Sequence, residues 1–380
     1  MGAARVTDLT ARARAWSRAE VEPGVNDPAP SATVLRQRIA SAAAHGFLGV
    51  QVPQALGGLG LPFSAKLALG EALAQVDFGS AMAVLNTHNV AEQLARLWPQ
   101  STAAPWVRAI VSGERVACTA LTEPEAGSDF AAIQTRATRT AAGWQLDGQK
   151  TWIINACYAD LVVVYAQTDP QRGAAGIGAF LVEAQRPGFH RVSEQPLGTV
   201  PTLGVGGFRL EGYVCPAEAV VSPPGEAFKD ILHAINGART YVAAMCCGMV
   251  ESCLQIAAEY GQSRHTFGKP LMGHQGWRWA LAQASVDLAA ARLLVGQAAA
   301  HIDAEADAQV SAAQAKIFAT GMAQTHIAKL LHAMGAEGLH AHHPFTRHLQ
   351  AVQAATFTDG ATEMLLERVA RQFNRPSNAP

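Results

Sequence analysis

Two neighbouring segments decide the fold: Thr119–Asp129, TALTEPEAGSD, and Asp147–Ala156, DGQKTWIINA. The small residues that end the first segment allow backbone amides to approach a ligand closely. Trp152, in the second segment, can lie flat against a planar ring system. Each segment alone is equally typical of a β-hairpin turn and a core tryptophan. A ligand site on a β domain is the functional interpretation, and the rest of the chain must decide between the two.

The texture of the sequence changes twice along the chain, which predicts an α+β multidomain fold. Residues 1–113 carry apolar positions at helical spacing, residues 114–225 contain short β-type runs between turn residues, and residues 226–375 return to long alanine-rich helical segments. We therefore predict a helical N-terminal domain, a central β domain and a C-terminal helical bundle, with 376–380 as a loose tail. No glycine-rich dinucleotide fingerprint follows a strand, so any dinucleotide must be held in another way.

Composition and charge narrow the function classes. The 380 residues are 49% hydrophobic and 16% charged, and 29 Lys+Arg nearly cancel 30 Asp+Glu. The sequence contains no basic run with interleaved aromatics, so it does not predict a nucleic-acid surface. No window approaches the roughly 18 uncharged apolar residues of a membrane span. The six cysteines form no CxxC pair, so we expect reduced thiols and a cytoplasmic location.

Five segments, in order, resemble the acyl-CoA dehydrogenase family of flavoproteins. Besides the two quoted above, they are Gly46–Leu61 (GFLGVQVPQALGGLGL), Arg264–Gln275 (RHTFGKPLMGHQ) and Thr358–Met364 (TDGATEM). The resemblance covers nearly the whole chain. It implies a helical N-terminal domain, a β-barrel-like central domain and a C-terminal four-helix bundle. It also implies FAD as cofactor and an acyl-CoA or acyl-carrier-protein thioester as substrate.

The same resemblance implies which residues contact the flavin. Those expected around the isoalloxazine are Leu121, Thr122, Gly127, Ser128, Trp152, Ile153 and Ile154. Those expected at the pyrophosphate and adenosine are Arg264, Thr266, Phe267 and Gln275, where the arginine fork matches phosphate oxygens. A solvated arginine at a helix end is the alternative for Arg264. In the family this second set reaches the flavin of a neighbouring subunit, which implies a homodimer or homotetramer.

A third set of expected cofactor contacts lies later in the chain. The stretch HAMGAEGL, His332–Leu339, resembles the glycine-rich loop of the family. The later segment Thr358–Met364 supplies further contacts. The residues concerned are His332, Gly335, Ala361 and Glu363.

The segment Thr358–Met364 resembles the YEGTxxI segment that supplies the base of the family, and this identifies Asp359. In the family a carboxylate removes the proton α to the thioester carbonyl while a hydride passes from the β carbon to flavin N5. The second position that the family uses for a base precedes Arg239, but Ala238 stands there. The expected substrate site comprises Asp359 with Ser128, Asn236, Arg239 and Gly360. The alternative, an aspartate that only caps the following helix, stays open.

Four positions around the cofactor depart from the family pattern. Asp359 replaces glutamate, and Ile154 stands where a threonine hydroxyl bonds flavin N5. His332 replaces glutamine, and Ala361 replaces the threonine of EGT. Misplacing a reacting group by about 1 Å can cost about a hundredfold in rate, so the shorter aspartate favours a thioester whose α carbon sits deeper or belongs to a ring. Drift in a diverged lineage explains the same changes.

Three functions therefore remain open. The first is α,β-desaturation of an acyl thioester, of a cyclic or branched acyl group, with an electron-transfer flavoprotein as acceptor. The second is a flavin mono- or dioxygenase that uses O2 on a ring-containing acyl-CoA, as in tropone-type secondary metabolism. The third is a non-catalytic protein that binds flavin or an acyl thioester.

A cluster of histidines near the C-terminal end raises the question of a metal. His340, His342 and His343 lie close together, with His332 and His348 nearby. No cysteine or carboxylate completes a recognised metal-ligand spacing. The sequence therefore predicts no metal site.

Overall fold

The computed structural model describes residues 2–192 and 200–374, so the predicted tail 376–380 lies outside the described residues. The chain forms two compact units. The first comprises residues 1–26, 63–81 and 235–380, and the second comprises residues 27–62 and 82–234. Helices of the first third are shared between the units, and the domain boundaries at 113 and 225 stay predictions.

The order of elements is helical, then β, then helical. The helices are α1 (Gly2–Trp16), α2 (Ala32–Ala44), α3 (Phe63–Ala74), α4 (Phe78–Leu97), α5 (Gln100–Val111), α6 (Ala227–Ser263), α7 (Gln275–Asp303), α8 (Gln309–Met334), α9 (Phe345–Phe357) and α10 (Thr362–Ala370). The strands are β1 (Ala117–Ala120), β2 (Arg136–Thr140), β3 (Gly143–Ile153), β4 (Leu161–Gln167), β5 (Ile177–Glu183), β6 (Phe189–Val192), β7 (Gly206–Cys215), β8 (Val220–Ser222), β9 (His265–Thr266) and β10 (Lys269–Pro270). This order confirms the predicted fold class.

The second unit is built on an eight-stranded sheet. Its strands run in the order β6-β7-β3-β2-β4-β5-β8, and β1 pairs with β4 in parallel. All seven residues of β4, LVVVYAQ, are buried, because this central strand is covered on both faces and needs apolar side chains throughout. The long strand β3 pairs with β7 and carries the DGQKTWI sequence at its end. The sheet therefore fixes the position of Trp152.

The first unit is a set of packed helices in which α8 packs against α7, α9 and α10. Asp303, at the end of α7, accepts hydrogen bonds from the backbone N–H groups of Phe63 (2.7 Å) and Ser64 (3.2 Å). The carboxylate thus satisfies two donors at the N-terminus of α3 that have no partner within the helix. Gly248 allows α6 to approach α3 closely, since a Cβ there would lie 2.1 Å from the carbonyl oxygen of Glu71.

Helix α6 is long and apolar, although Arg239 and Glu251 leave it no long uncharged run, as the sequence predicted. It is 37 residues long, and its most apolar 18-residue window has a mean hydropathy of 1.4 and is 67% buried in protein. By length and composition alone it is the one helix among the described residues that could cross a membrane. The core helix of a soluble protein passes the same test, and this burial is typical of such a helix. Its two adjacent cysteines, Cys246 and Cys247, are buried packing residues, and all six cysteines of the chain are free thiols.

Candidate active site

The first candidate region is the Trp152 segment, which comprises Leu121–Ser128 and Thr151–Asn155. The β3–β7 pairing shifts register between Lys150 and Ile153, and a bulge of this kind re-aims a side chain. Trp152 adopts a left-handed φ of 59° and is 58% exposed. The indole is therefore turned out of the sheet, and the alternative of a core tryptophan is wrong.

A buried polar network holds the end of this segment. Asn155 also has a left-handed backbone, with φ of 67°. Its Nδ2 donates to the carbonyl of Ala83 (2.9 Å) and to Thr87 Oγ1 (3.1 Å), and its Oδ1 accepts from the hydroxyl of Tyr158 at 2.6 Å. Left-handed residues other than glycine cost about 1–3 kcal/mol and persist where the surroundings determine them. This network supplies such surroundings two residues beyond Ile153.

A buried ion pair anchors the other half of the segment. Lys150 Nζ lies 2.8 Å from Glu123 Oε1 and donates to the carbonyl of Leu121 at 2.9 Å. Glu123 also accepts the backbone N–H groups of Gln134 (2.5 Å) and Thr135 (3.0 Å). The ion pair and these hydrogen bonds thus fix the loop that contains TEPEAGS to strand β3. Sequence reasoning missed this pair.

The pair is ionised near neutral pH. Burial lowers the pKa of Lys150 to about 8 against the attraction of Glu123. Burial also acts to raise the pKa of Glu123, but the charge and hydrogen bond of Lys150, with the other hydrogen bonds to the carboxylate, hold that pKa below its usual value. The carboxylate is therefore charged, and its charge is fully engaged by Lys150.

The predicted isoalloxazine residues fall into three groups. Leu121, Thr122 and Ile154 are half-buried, and Gly127, Ser128 and Trp152 are exposed. The backbone N–H of Thr151 donates to the carbonyl of Thr122 at 3.1 Å, which brings the two halves of the segment together. Ile153 differs, because its side chain is 4% exposed and packs in the sheet core. Only its backbone is left for a ligand.

The predicted pyrophosphate and adenosine residues lie on the hairpin β9–β10 and the start of α7. Phe267 has a left-handed φ of 51° and is 97% exposed. Arg264 and Gln275 are exposed as well, and Thr266 Oγ1 lies 3.2 Å from His274 Nε2. The structure thus brings this set together. Single exposed rings are common on protein surfaces, so this exposure shows only that Phe267 is accessible to a ligand or a second chain.

The remaining predicted cofactor residues border α8 and α10. His332 and Gly335 are exposed, and Gly335 follows α8 with a left-handed φ of 63° and open space around it. Ala361 is half-buried at the N-terminus of α10, and Glu363 is exposed in its first turn.

The second candidate region is the Asp359 loop, Thr356–Gly360, which a buried lysine of α8 organises. Lys316 is 1% exposed, and its Nζ donates to the carbonyls of Thr356 (3.4 Å), Thr358 and Gly360 (2.6 Å). The loop is tightly turned, with left-handed φ values of 58° at Asp359 and 112° at Gly360. Three carbonyls that converge on one ammonium hold such a turn in place.

Arginine 239 supports the same loop from α6. Arg239 Nε donates to the backbone carbonyl of Asp359 at 3.0 Å, and its Nη1 donates to Asn236 Oδ1 at 3.0 Å. Arg239 and Asn236 are 7% and 9% exposed. These two residues were expected to contact substrate. Their contact with substrate stays a prediction, and their hydrogen bonds also give them a part in holding the loop, which the sequence did not indicate.

The carboxylate of Asp359 is left available for chemistry. Its Oδ2 is buried and has no hydrogen-bond partner within residues 2–192 and 200–374. Burial raises the pKa of Asp359 above its usual value, although the nearby charges of Lys316, Arg239 and Lys66 act to lower it. A carboxylate with a raised pKa and an unpartnered oxygen has the properties of a general base.

The alternative role for Asp359 is wrong. Helix α10 has Ala361 as its N-cap, and no side chain makes a capping hydrogen bond there. The aspartate therefore does not cap the helix that follows it.

Each of these regions, taken by itself, presents groups that suit part of FAD. The exposed indole of Trp152 offers a flat aromatic face, and Gly127 and Ser128 beside it are exposed on a loop of small residues. Phe267 and Arg264 offer an aromatic ring and a phosphate-binding fork on the hairpin.

Three family models match the chain in succession. They are the acyl-CoA dehydrogenase N-terminal domain over residues 5–114, the middle domain over 118–210 and the C-terminal domain over 225–373. The chain belongs to the acyl-CoA dehydrogenase family. Its members are FAD-dependent oxidoreductases, so the chain is a flavoenzyme of this type, and the non-catalytic alternative is not supported.

Curated relatives agree. The chain is 30% identical over 324 residues to the human short-chain specific acyl-CoA dehydrogenase of mitochondria, which covers 84% of this chain and 78% of that protein. It is also 30% identical over 298 residues to the short-chain specific acyl-CoA dehydrogenase of Megasphaera elsdenii, covering 78% of each chain.

Solved structures share the whole fold. Butyryl-CoA dehydrogenase from Megasphaera elsdenii superposes with a TM-score of 0.90 at 27% identity, over 97% of this chain and 98% of that chain. A chain from work on the electron transferring flavoprotein of Acidaminococcus fermentans gives 0.90 at 26%, over 98% of each. PigA with FAD and proline gives 0.90 at 22%, over 97% of each, and shows the fold alone.

Proposed function

We propose that this enzyme desaturates an acyl-CoA thioester between the α and β carbons, with Asp359 as the base. The buried, unpartnered Oδ2 of Asp359 carries this proposal, because it combines an available lone pair with a raised pKa. FAD, when bound, supplies the acceptor for the hydride that leaves the β carbon. Asp359 takes the α proton, so a C–H bond breaks on each carbon and a C=C bond forms between them.

The arrangement around Asp359 suits proton abstraction from carbon. Lys316 donates its hydrogen bonds to three loop carbonyls, so it does not form a direct ion pair with Asp359. The positive charges of Lys316 and Arg239 still lie close enough to act on the carboxylate. They favour its ionised form before the reaction, while burial keeps its pKa high enough to accept a proton from a weak carbon acid.

We propose that the substrate is a compact acyl group, branched or cyclic. Two observations support this. The base is one methylene shorter than the glutamate of the family, and the relatives and neighbours include enzymes specific for short-chain and butyryl thioesters. A compact or ring-bound α carbon can come closer to a shortened base than a long linear chain can.

The experiment is anaerobic reduction of the yellow holoenzyme by butyryl-, isobutyryl- and cyclohexanecarbonyl-CoA. We expect bleaching of the flavin by the cyclic or branched thioester at the highest rate. Asp359→Glu should shift the preference toward the linear thioester. If Asp359→Glu desaturates linear thioesters no better and cyclic ones equally well, the substrate proposal is wrong. Loss of bleaching in Asp359→Asn tests the base separately.

We propose an electron-transfer flavoprotein as the electron acceptor. The fold match to a chain from the electron transferring flavoprotein of Acidaminococcus fermentans supports it. One observation favours O2 instead: Ile154, half-buried in the Trp152 segment, replaces the hydroxyl donor of the family. Enzyme reduced by substrate under nitrogen is mixed either with an electron-transfer flavoprotein or with oxygenated buffer. Fast reoxidation by O2 with an oxygenated product would overturn the proposal in favour of the oxygenase.

We propose further that the enzyme is a homodimer or homotetramer of the cytoplasm. Membership of the family supports a second chain at the hairpin, where the ring of Phe267 is accessible, and the six free thiols support a reducing compartment. Light scattering of the purified holoenzyme tests the assembly, and a monomer at micromolar concentration would contradict it. Fractionation of cells that produce the protein tests the location.

A further inference from the structure

A cluster of potential metal ligands lies in the loop between α8 and α9, which we call the His–Glu loop (Gly335–Pro344). Glu337, His342 and His343 each offer one ligand atom, and these atoms all lie within 4.8 Å of one another. The sequence predicted no metal site because no carboxylate stood at a recognised spacing. The structure supplies one, since the short helical turn Gly335–Leu339 folds Glu337 back toward the histidines.

The two distances from the glutamate to the histidines are close to those around a bound ion, and the third lies within 4.8 Å. Glu337 Oε1 lies 3.2 Å from His343 Nε2 and 3.6 Å from His342 Nε2. A tetrahedral zinc ion with ligands at 2.0–2.1 Å requires donors separated by roughly 3.3 Å. The three groups therefore need only small side-chain adjustments to share one ion. No other ion pair engages Glu337 in the described part of the chain.

The loop that carries these groups is ordered by its own hydrogen bonds. The backbone N–H of His340 donates to the carbonyl of Glu337 (3.1 Å), and that of His343 donates to the carbonyl of His340 (3.0 Å). Asn26 Nδ2 donates to the carbonyl of Ala341 at 2.9 Å, which ties the loop to the N-terminal end of the same unit. The histidines therefore project from a fixed backbone, and little ordering is needed before an ion binds.

We propose that Glu337, His342 and His343 form a binding site for a divalent transition ion of the Zn²⁺ class, with water completing the coordination. Two imidazoles and one carboxylate suit Zn²⁺ and Ni²⁺ and disfavour Mg²⁺, which prefers oxygen ligands. Glu337 is half-buried, His343 is 16% exposed at its side chain and His342 is 62% exposed, so the ion has access from solvent. The bound ion clamps the His–Glu loop directly after Gly335.

The test is calorimetric titration of Zn²⁺ into the untagged, FAD-loaded full chain, after removal of metal by a chelator. We expect saturable binding of one ion per chain and no saturable binding of Mg²⁺. Glu337→Gln and His343→Ala should each weaken the Zn²⁺ affinity by at least about tenfold, since changes in outer-shell groups alone reach that size. Zn²⁺ should raise the Tm of the wild type and not that of these variants.

A matched control comes from elsewhere on the surface. His190 lies 3.9 Å from Glu211, and both side chains are exposed, so they form a histidine–glutamate pair with no third ligand group among the described residues. His190→Ala should leave Zn²⁺ binding unchanged. Absence of saturable Zn²⁺ binding to the wild type overturns the proposal. Binding that persists unchanged in both Glu337→Gln and the surface-exposed variant His342→Ala overturns it as well.

Discussion

The Trp152 segment and the Asp359 loop each depend on one buried lysine, but the two lysines donate hydrogen bonds to different kinds of acceptor. Lys150 is 0% exposed and pairs directly with Glu123 at 2.8 Å. Lys316 is 1% exposed and donates to three backbone carbonyls instead. Burial lowers the pKa of each lysine to about 8. Both are cations near neutral pH, but only Lys150 forms an ion pair with a carboxylate.

The difference explains the state of the two carboxylates. Glu123 accepts hydrogen bonds from a lysine and two backbone N–H groups, and its pKa is held below the usual value. Asp359 feels the charge of Lys316 without a hydrogen bond to it, its Oδ2 has no partner in the described part of the chain, and burial raises its pKa. A buried carboxylate that is fully engaged holds a fold together. One whose counter-ion is occupied elsewhere is available to accept a proton.

The largest effect should come from removing the available carboxylate. Asp359→Asn keeps the size of the side chain and abolishes the base, so we expect kcat to fall by about 10²–10⁴-fold. Steady-state desaturation measures this, and flavin content and Tm serve as controls for folding. A kcat within tenfold of the wild type would exclude Asp359 as the base. Glu123→Gln, the matched change at the engaged carboxylate, should lower kcat far less in whatever protein folds.

Removing the lysine that holds the Asp359 loop should have the next largest effect. Lys316→Met removes the ammonium that holds the loop carbonyls, and displacement of a base by about 1 Å costs on the order of a hundredfold in kcat/KM. It also removes a charge that lowers the pKa of Asp359. The base must be ionised to act, so activity is lost as the pH falls through this pKa. A higher pKa therefore moves the acid limb of the kcat/KM profile to higher pH.

Two outcomes distinguish an effect of Lys316 on the base Asp359 from a contribution to stability alone. Lys316→Arg keeps the charge, so its acid limb should stay near that of the wild type even where its rate is reduced by the larger side chain. An unchanged acid limb in Lys316→Met, together with a lower Tm, would mean that the lysine contributes to stability alone.

Substitutions in the ion pair of the Trp152 segment should change the free energy of unfolding rather than the acid limb of the kcat/KM profile. Removing one partner of a buried pair leaves an uncompensated charge, so Lys150→Met or Glu123→Gln should cost about 3–5 kcal/mol of unfolding free energy. The double variant should cost less than the sum of the two. Denaturant unfolding measures all three. Additive losses would show that the pair does not act as a unit.

The same pair predicts a dependence of stability on pH. The pKa of Glu123 is lower in the folded protein than in the unfolded chain. Its contribution is thus present above the unfolded pKa and is lost as the pH falls through the folded pKa. Wild-type stability should decline over that acid range, and the decline should be smaller in Glu123→Gln.

The sequence predicted the parts of this comparison that reside in motifs. Trp152 and Asp359 stand in segments whose order and spacing resemble a family, and the helical, β and helical textures follow from local periodicity. The left-handed backbone of Asp359 and the bulge before Trp152 could not be inferred, because each depends on contacts made by distant residues.

The two lysines were out of reach for a related reason. Lys150 and Glu123 are 27 residues apart, and Lys316 and Gly360 are 44 residues apart, so only the folded chain brings each set together. A lysine such as Lys316 or Lys329 in the alanine-rich sequence of α8 is typical of a solvated helix face. The signal available for Lys150 was its place in the interior of β3, between the buried apolar residues Leu146 and Ile153. Glu337 escaped notice in the same way, since a short helical turn rather than a spacing motif places it beside the histidines.

The smallest effect should come from the exposed end of the Trp152 segment. Trp152→Leu removes the aromatic face, and aromatic pairs contribute about 0.5–1.5 kcal/mol beyond the area they bury, so the Kd for FAD should rise by up to roughly tenfold. Fluorescence titration of the apoprotein with FAD measures this. Trp152→Phe should recover most of the affinity, and Phe373→Leu, which removes an 84% exposed ring elsewhere, should leave it unchanged.

Equal losses in Trp152→Leu and Phe373→Leu would show that general destabilisation, rather than stacking on the flavin, explains the weaker binding. A Kd for Trp152→Leu equal to that of the wild type would mean that the bulge and the left-handed backbone turn the indole outward for a purpose other than the cofactor.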